Sequence, residues 1–308
     1  MIQCNPPIPE SLNPKYDGSL TRPYLAFVVV CLVWGTTYLG IRIALESIPP
    51  LLMAALRWIA AGGLLAGALW LKGERLPGRS EWPSLLVLGV LLLGFGNGAV
   101  VYAEQTVPSG LTAVLVAAAP FWMVATERFV GGGERLTPSR AVGLIVGFGG
   151  IVLLVWPELQ TSTGSSRGFL GGVVATQLAC LGWAIGSSYS RRRHADENVL
   201  AAASLQMLFA GLVLLGIATI AGEWSRLSFT GRTTGALVYL IVVGSIIGYS
   251  SYAYALKHLP VSIVSLYAYV NPVIAVILGT VVLSEPLSPR IALAGAVVFL
   301  GSWLVKRR

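Results

Sequence analysis

A stretch in the first half of the chain returns in the second. YAEQTVPSGLTAVLVAAAPFW, beginning at Tyr102, aligns without a gap to YALKHLPVSIVSLYAYVNPVI, beginning at Tyr254, so Tyr102, Pro108 and Pro120 fall on Tyr254, Pro260 and Pro272. With a slip of one residue the match continues, GERLTP at 133–138 resembling SEPLSP at 284–289 and pairing Glu134 with Glu285. Separately, CLVW at 31–34 echoes CLGW at 180–183. The copies are made of apolar runs. A helix needs about 20 mostly apolar residues to cross the roughly 30 Å hydrocarbon core. Ten segments qualify, near 22–46, 51–72, 83–106, 109–130, 138–156, 168–190, 199–221, 233–257, 261–283 and 288–305. Five spans per copy is an odd number, so the second copy enters the membrane from the opposite side and the two copies have inverted topology. The fold expected is an all-α membrane protein of ten transmembrane helices in two inverted five-helix repeats. A polar tail covers 1–21, the first repeat 22–156 and the second 168–305. Inverted repeats are typical of secondary transporters, whose substrate site lies between the halves near the midplane.

Composition excludes a soluble globule. Of the 308 residues, 55% are hydrophobic and only 11% charged, against about 25% charged in soluble domains. The formal charge of +8 takes its meaning from position, because positive loops stay in the cytoplasm. With the N-terminus inside, the inner segments hold Lys15, Arg22, Lys72, Arg75, Arg79, Arg128, Arg135, Arg140, Arg191, Arg192, Arg193, Lys257, Lys306, Arg307 and Arg308, whereas the outer loops hold Arg167, Arg226, Arg232 and Arg290. Both termini are therefore expected in the cytoplasm. The RRRHADE loop at 191–197 is accounted for by this bias, and no nucleic-acid partner is expected. The first 20 residues form a polar, proline-rich tail and do not read as a signal peptide. Cys4, Cys31 and Cys180 supply neither a disulfide framework nor metal spacing.

Polar and aromatic residues inside the spans are the candidates for chemistry. In CLVWGTTYLGIRIALE, Trp34, Tyr38, Arg42 and Glu46 recur at four-residue steps and share one helix face. Trp34 and Trp183 recur in the two halves. Trp183 and Ser187 share a face of the sixth span, and Ser245, Tyr249 and Tyr252 a face of the eighth. In the ninth, Ser262, Ser265, Tyr269 and Pro272 align with Gly110, Ala113, Ala117 and Pro120 of the fourth, so one copy offers bulk and hydroxyls where the other leaves volume. Pro120 and Pro272 are read as a matched pair of mid-span bends. Rings with one polar handle suit an aromatic or amphipathic solute; Trp82, Trp156 and Trp303, near span ends, fit an interfacial belt instead. Asn97 and Gln177 are the main deep amides. Arg42, Glu46, Arg57 and Glu104 approach the outer surface, where Glu104 can pair with either arginine. They read as interfacial pairs that fix the helices, with an outer gate or a contact to a substrate carboxylate as the alternative, and Arg42, Arg57 and Glu104 are assigned to the outer rim. Gly143, Gly147 and Gly150 permit close helix packing in the fifth span.

The ten spans, the doubled Y-x5-P-x11-P core and the GE-x-LTP-like turn resemble the drug/metabolite transporter superfamily, specifically its EamA-type exporters. Within that group the chain is most similar to YddG-type exporters of aromatic amino acids. The resemblance covers roughly residues 24–306 and implies a central cavity lined mainly by the first, third, fourth, sixth, eighth and ninth helices, with the fifth and tenth peripheral. Small multidrug antiporters of the superfamily carry an acid in the first helix. The middle of this first span, VVVCLVWGTTYLG, has none, which favours a neutral or zwitterionic substrate over a cation/proton antiport.

The chain is thus expected to be a bacterial inner-membrane carrier that exports small metabolites, amino acids with an aromatic preference, by alternating access. Its cavity candidates are Trp34, Tyr38, Asn97, Tyr102, Ala117, Pro120, Trp183, Ser187, Ser245, Tyr249, Tyr252, Ser265, Tyr269 and Pro272. The partners expected are a small-molecule substrate and the lipid bilayer. An exporter of drugs or other metabolites is the nearest alternative, and a membrane-embedded enzyme acting on lipid-linked substrates the alternative from another class. No phosphate loop, H-E-x-x-H metal motif or G-x-S-x-G elbow is present, and no cofactor, metal or catalytic residue is expected. Oligomeric state is left open.

Overall fold

A computed structural model of the chain describes residues 21–129, 138–160, 164–192, 198–259, 264 and 266–306. Among these residues every regular element is helical. Helix α1 (Thr21–Ala44) runs into a short turn, and α2 (Pro50–Leu71) opens on a proline, which loses nothing at a helix start because that N–H has no intrahelical acceptor. Glu223 supplies two of the missing acceptors from elsewhere: its buried carboxylate receives Leu52 N at 2.8 Å and Leu51 N at 3.4 Å. The third segment starts as α3 (Trp82–Leu88), widens to i→i+5 bonding over Gly89–Asn97, and closes as α4 (Gly98–Ala103). The fourth is two helices, α5 (Ser109–Val116) and α6 (Ala119–Phe129), joined by a turn at Ala117–Ala118.

Then come α7 (Pro138–Gln160), α8 (Gly164–Arg192) and α9 (Val199–Ile220), the last capped by Asn198, whose side chain accepts from Leu200 N at 3.0 Å. The eighth segment repeats the pattern of the third: α10 (Gly231–Tyr239), a π-helical stretch over Leu240–Ile247, and α11 (Gly248–His258). Helices α12 (Tyr267–Leu283) and α13 (Pro289–Lys306) complete the chain. Among the described residues six helical segments are long and apolar enough to cross a membrane, and four shorter apolar helices lie in the remaining segments. Large apolar side chains such as Ile145, Ile220 and Val281 stay exposed on their outer faces, as lipid contact permits.

The expected pair of proline bends takes two forms. Pro120 falls in the first turn of α6, where no helical bond is lost, and the break itself lies at Ala117–Ala118. Pro272 sits inside α12, where its missing N–H leaves the Ala268 carbonyl without the usual donor.

Numbering the apolar segments one to ten in chain order, the second packs on the seventh, the fifth on the tenth and the fourth on the ninth. The first packs on the eighth and ninth, as the sixth does on the third and fourth. This pairing is unchanged when each segment is exchanged for the one five places later. α7 and α13 meet at a close seam: a Cβ on Gly301 would meet Gly147 N at 2.4 Å and Gly143 O at 2.7 Å, and one on Gly150 would meet Val298 N at 2.9 Å and Ala294 O at 3.0 Å. Only glycine lets the backbones approach that closely.

Candidate functional site

Trp34 is the hub of an aromatic cluster. Its ring meets Trp183 edge-on at 5.9 Å, Tyr267 edge-on at 5.0 Å and Tyr252 at 5.0 Å, and its Nε1 donates to Gly244 O at 3.3 Å. Gly248 makes room for the indole, since a Cβ there would come within 2.8 Å of Nε1. Next to this cluster lies a cavity. Trp34, Tyr38, Trp183, Tyr249 and Tyr267 give it an aromatic wall, with Val100, Val116, Ala119 and Ala179 as smaller apolar surface. The lining comes from the first, third, fourth, sixth, eighth and ninth segments, and from the second through Arg57 and Trp58.

Among the described residues that line the cavity, Arg57 alone is charged. It is 2% exposed. Its Nε donates to Ser245 Oγ at 2.8 Å, its guanidinium lies 4.5 Å over the Trp58 ring, and a Cβ on Gly244 would meet its Nη2 at 3.3 Å. Nη1 has no hydrogen-bond acceptor among the described residues. The indole N–H groups of Trp58 and Trp183 and the Asn97 Oδ1, all on lining residues, are likewise buried without a hydrogen-bond partner there. Polar groups taken out of water are normally satisfied, so this group of orphans marks where a solute or water supplies the complement. Asn271 is different. Its amide orientation follows from its acceptors, with the nitrogen donating to Cys31 O at 2.9 Å and Tyr267 O at 3.1 Å.

Of the residues proposed from sequence, Trp34, Tyr38, Asn97, Trp183 and Tyr249 line the cavity. Tyr252 joins their ring cluster, contacting Trp34, Trp183, Tyr249 and Tyr267. Ser245 stands behind the wall and holds Arg57. Ala117 is buried and its carbonyl accepts from Ser302 Oγ at 2.8 Å. Pro120, Ser187 and Pro272 are not in the lining. Tyr102 is 53% exposed, and Tyr269 packs on Phe299 at 6.0 Å; two positions along α12 from Tyr267, it points to another side of the helix. Ser262, Ser265 and Glu134 lie outside the described residues. Gln177 is occupied by Trp122, whose Nε1 donates to its Oε1 at 3.0 Å.

The outer-rim group separates. Arg57 belongs to the cavity. Arg42 donates to the backbone carbonyl of Glu104, and Glu104 is completely buried with neither carboxylate oxygen hydrogen-bonded among the described residues. Glu46 pairs with Arg232 at 3.2 Å on the surface. Sequence reading missed Tyr267 and Asn271, although their four-residue spacing was visible, and Thr37, Trp58 and Cys180.

An all-helical membrane bundle enclosing an aromatic cavity among seven of its segments has the build of a carrier for small solutes. The chain belongs to the EamA-like transporter family, whose sequence profile matches residues 21–156 and again 170–307. It is 39% identical over 278 residues to the Escherichia coli K12 protein described as "Uncharacterized inner membrane transporter YedA", covering 89% of this chain and 87% of that one. An "Uncharacterized transporter" of Archaeoglobus fulgidus is 24% identical over 93% of this chain and 99% of its own length. The chloroplastic WAT1-related protein At3g02690 of Arabidopsis thaliana is 28% identical over 88% of this chain and 66% of its own. A solved crystal structure shares the fold with a TM-score of 0.63 at 21% identity, covering 94% of this chain and 97% of that one.

Proposed function

We propose that this transporter exports small amphipathic metabolites, amino acids with an aromatic preference, across the bacterial inner membrane. The observation that carries this reading is the wall of rings around the cavity, Trp34, Tyr38, Trp183, Tyr249 and Tyr267. Such rings offer large apolar faces and polar tips to a solute with the same mixture. Ten spans in two inverted repeats, 22–156 and 168–305, with both termini in the cytoplasm, would place the cavity between halves that alternate access to the two sides. The exchange-invariant pairing of segments and the two matched π-helical stretches support that arrangement. Arg57 argues against a cationic drug as cargo, because no carboxylate among the described lining residues offsets it.

The test is uptake of radiolabelled amino acids and cationic drugs by liposomes holding the purified protein, with and without a pH gradient. Aromatic amino acids are expected to enter faster than into protein-free liposomes, and cationic drugs are not. Carriage of the cations alone, driven by a proton gradient, would overturn the proposal.

A further inference from the structure

Arg57 raises a question that an aromatic wall does not answer. A guanidinium offers five N–H donors in a rigid fork and keeps its charge at any physiological pH. Holding one in a membrane-embedded, water-poor interior is costly, and such residues face a pathway and take partners. Here the fork is held by Ser245 Oγ on Nε and by the Trp58 ring beneath, and the missing side chain at Gly244 leaves room beside Nη2. Nη1 is left over, on a residue that lines the cavity. Glu104 acts on Arg57 through space but does not ligate it. Glu104 and Arg57 form no ion pair within 4 Å, and no oxygen of Glu104 accepts a hydrogen bond among the described residues.

The rest of the lining is unequal in donors and acceptors. Of the fully buried side-chain atoms left without a partner on the described lining residues, Arg57 Nη1, Trp58 Nε1 and Trp183 Nε1 are donors and Asn97 Oδ1 is an acceptor. A cavity with three spare donors, one of them cationic, is complementary to an acceptor-rich anion. The aromatic wall excludes a strongly hydrated one such as free phosphate and leaves a carboxylate carried on an apolar body.

We propose that Arg57 is the specificity-determining residue of this carrier, receiving the carboxylate of the solute, and that the carboxylate is recognised more strongly than any ammonium group. This rests on the reading of the cavity as the substrate site, and it ranks solutes that the reading alone treats alike. Charge-assisted hydrogen bonds are about twice as strong as neutral ones. Replacing an acid by its amide should therefore weaken binding on the order of tenfold, the effect of one such bond.

The experiment is isothermal titration calorimetry on the full-length protein in detergent micelles, using phenylalanine, phenylalaninamide, 3-phenylpropionate, phenethylamine, leucine and leucinamide. Wild type is expected to bind phenylalanine about tenfold more tightly than its amide, to keep measurable affinity for 3-phenylpropionate and to bind phenethylamine least. Arg57→Gln should bring acid and amide within about threefold of each other, and Arg57→Lys should restore part of the gap because it restores the charge. The wild-type series needs no variant, so the proposal is testable even if Arg57→Gln fails to fold. Equal binding of acid and amide by wild type, or an unchanged ratio in a folded Arg57→Gln protein, would overturn the Arg57 assignment and leave the aromatic reading standing. Tight binding of leucine over leucinamide with no binding of any phenyl compound would support Arg57 and sink the aromatic reading. No binding by any of the six would remove both.

Discussion

Arg57 stands seven residues inside α2, about 10 Å from its start at the usual helical rise. Sequence reading assigned it to the outer rim because it lies near a span end, and span ends from hydropathy alone are loose by several residues. What sets its depth is the abrupt start at Pro50 and the Glu223 carboxylate that seats that start. Neither is visible in the apolar pattern. Trp34 and Trp183 were legible for the opposite reason: each lies in a recurring tetrapeptide, and the fold brings the two rings to 5.9 Å. Tyr269 stands out in the sequence by sharing a helix face with Ser262, Ser265 and Pro272, yet the helix face toward the cavity is set by Tyr267 and Asn271. Glu104 tests the local electrostatics. Its buried side chain has no hydrogen-bond partner among the described residues, and Glu104→Gln removes the acid while keeping the shape, so affinity for a carboxylate solute should hold or rise. Calorimetry with phenylalanine checks this, and a loss of binding would mean that Glu104 itself contacts the solute.

At the scale of elements, the glycines of the fifth span were readable as a packing seam, and α7 does meet α13 through them. The seam makes a direct prediction. Gly301→Val places a Cβ 2.4 Å from Gly147 N, which backbone cannot yield to without moving a helix. Overpacking of this kind costs about 1–3 kcal/mol, so the variant should show a lowered Tm in detergent while the acid-over-amide ratio stays at the wild-type value, because α7 and α13 contribute nothing to the described lining. The two π-helical stretches were not legible. Gly89–Asn97 and Leu240–Ile247 read as ordinary apolar helix, because i→i+5 bonding leaves no signature in hydropathy. Such stretches are frequent at functional sites. The first supplies Leu93, Gly96 and Asn97 to the cavity.

For the whole molecule, the repeat in the sequence was the informative signal, since it predicts both the helix count and the sense in which the halves oppose each other. It carried the fold further than the site, because a cavity depends on helix rotations that a repeat leaves unspecified. The proposed orientation is checkable at the exposed Glu46–Arg232 pair. Arg232→Cys should react with a membrane-impermeant maleimide added outside intact cells, whereas Glu74→Cys, beyond the other end of α2, should react only after permeabilisation. Reversed labelling would invert the topology.

The glycine seam has one more consequence. In the one-residue-slipped alignment that pairs Glu134 with Glu285, Gly150 is the counterpart of Gly301, Gly147 of Val298 and Gly143 of Ala294. Gly150 touches Val298 and Ala294, while Gly301 touches Gly147 and Gly143. Each contact is therefore the mirror of another under exchange of halves, the signature of an isologous two-fold interface. At this seam the two halves meet as the subunits of a two-fold dimer do. In a dimer of separate subunits every substitution is made twice. Here a single codon changes one side alone, which is how Arg57 can face the cavity from one half with no arginine required opposite it.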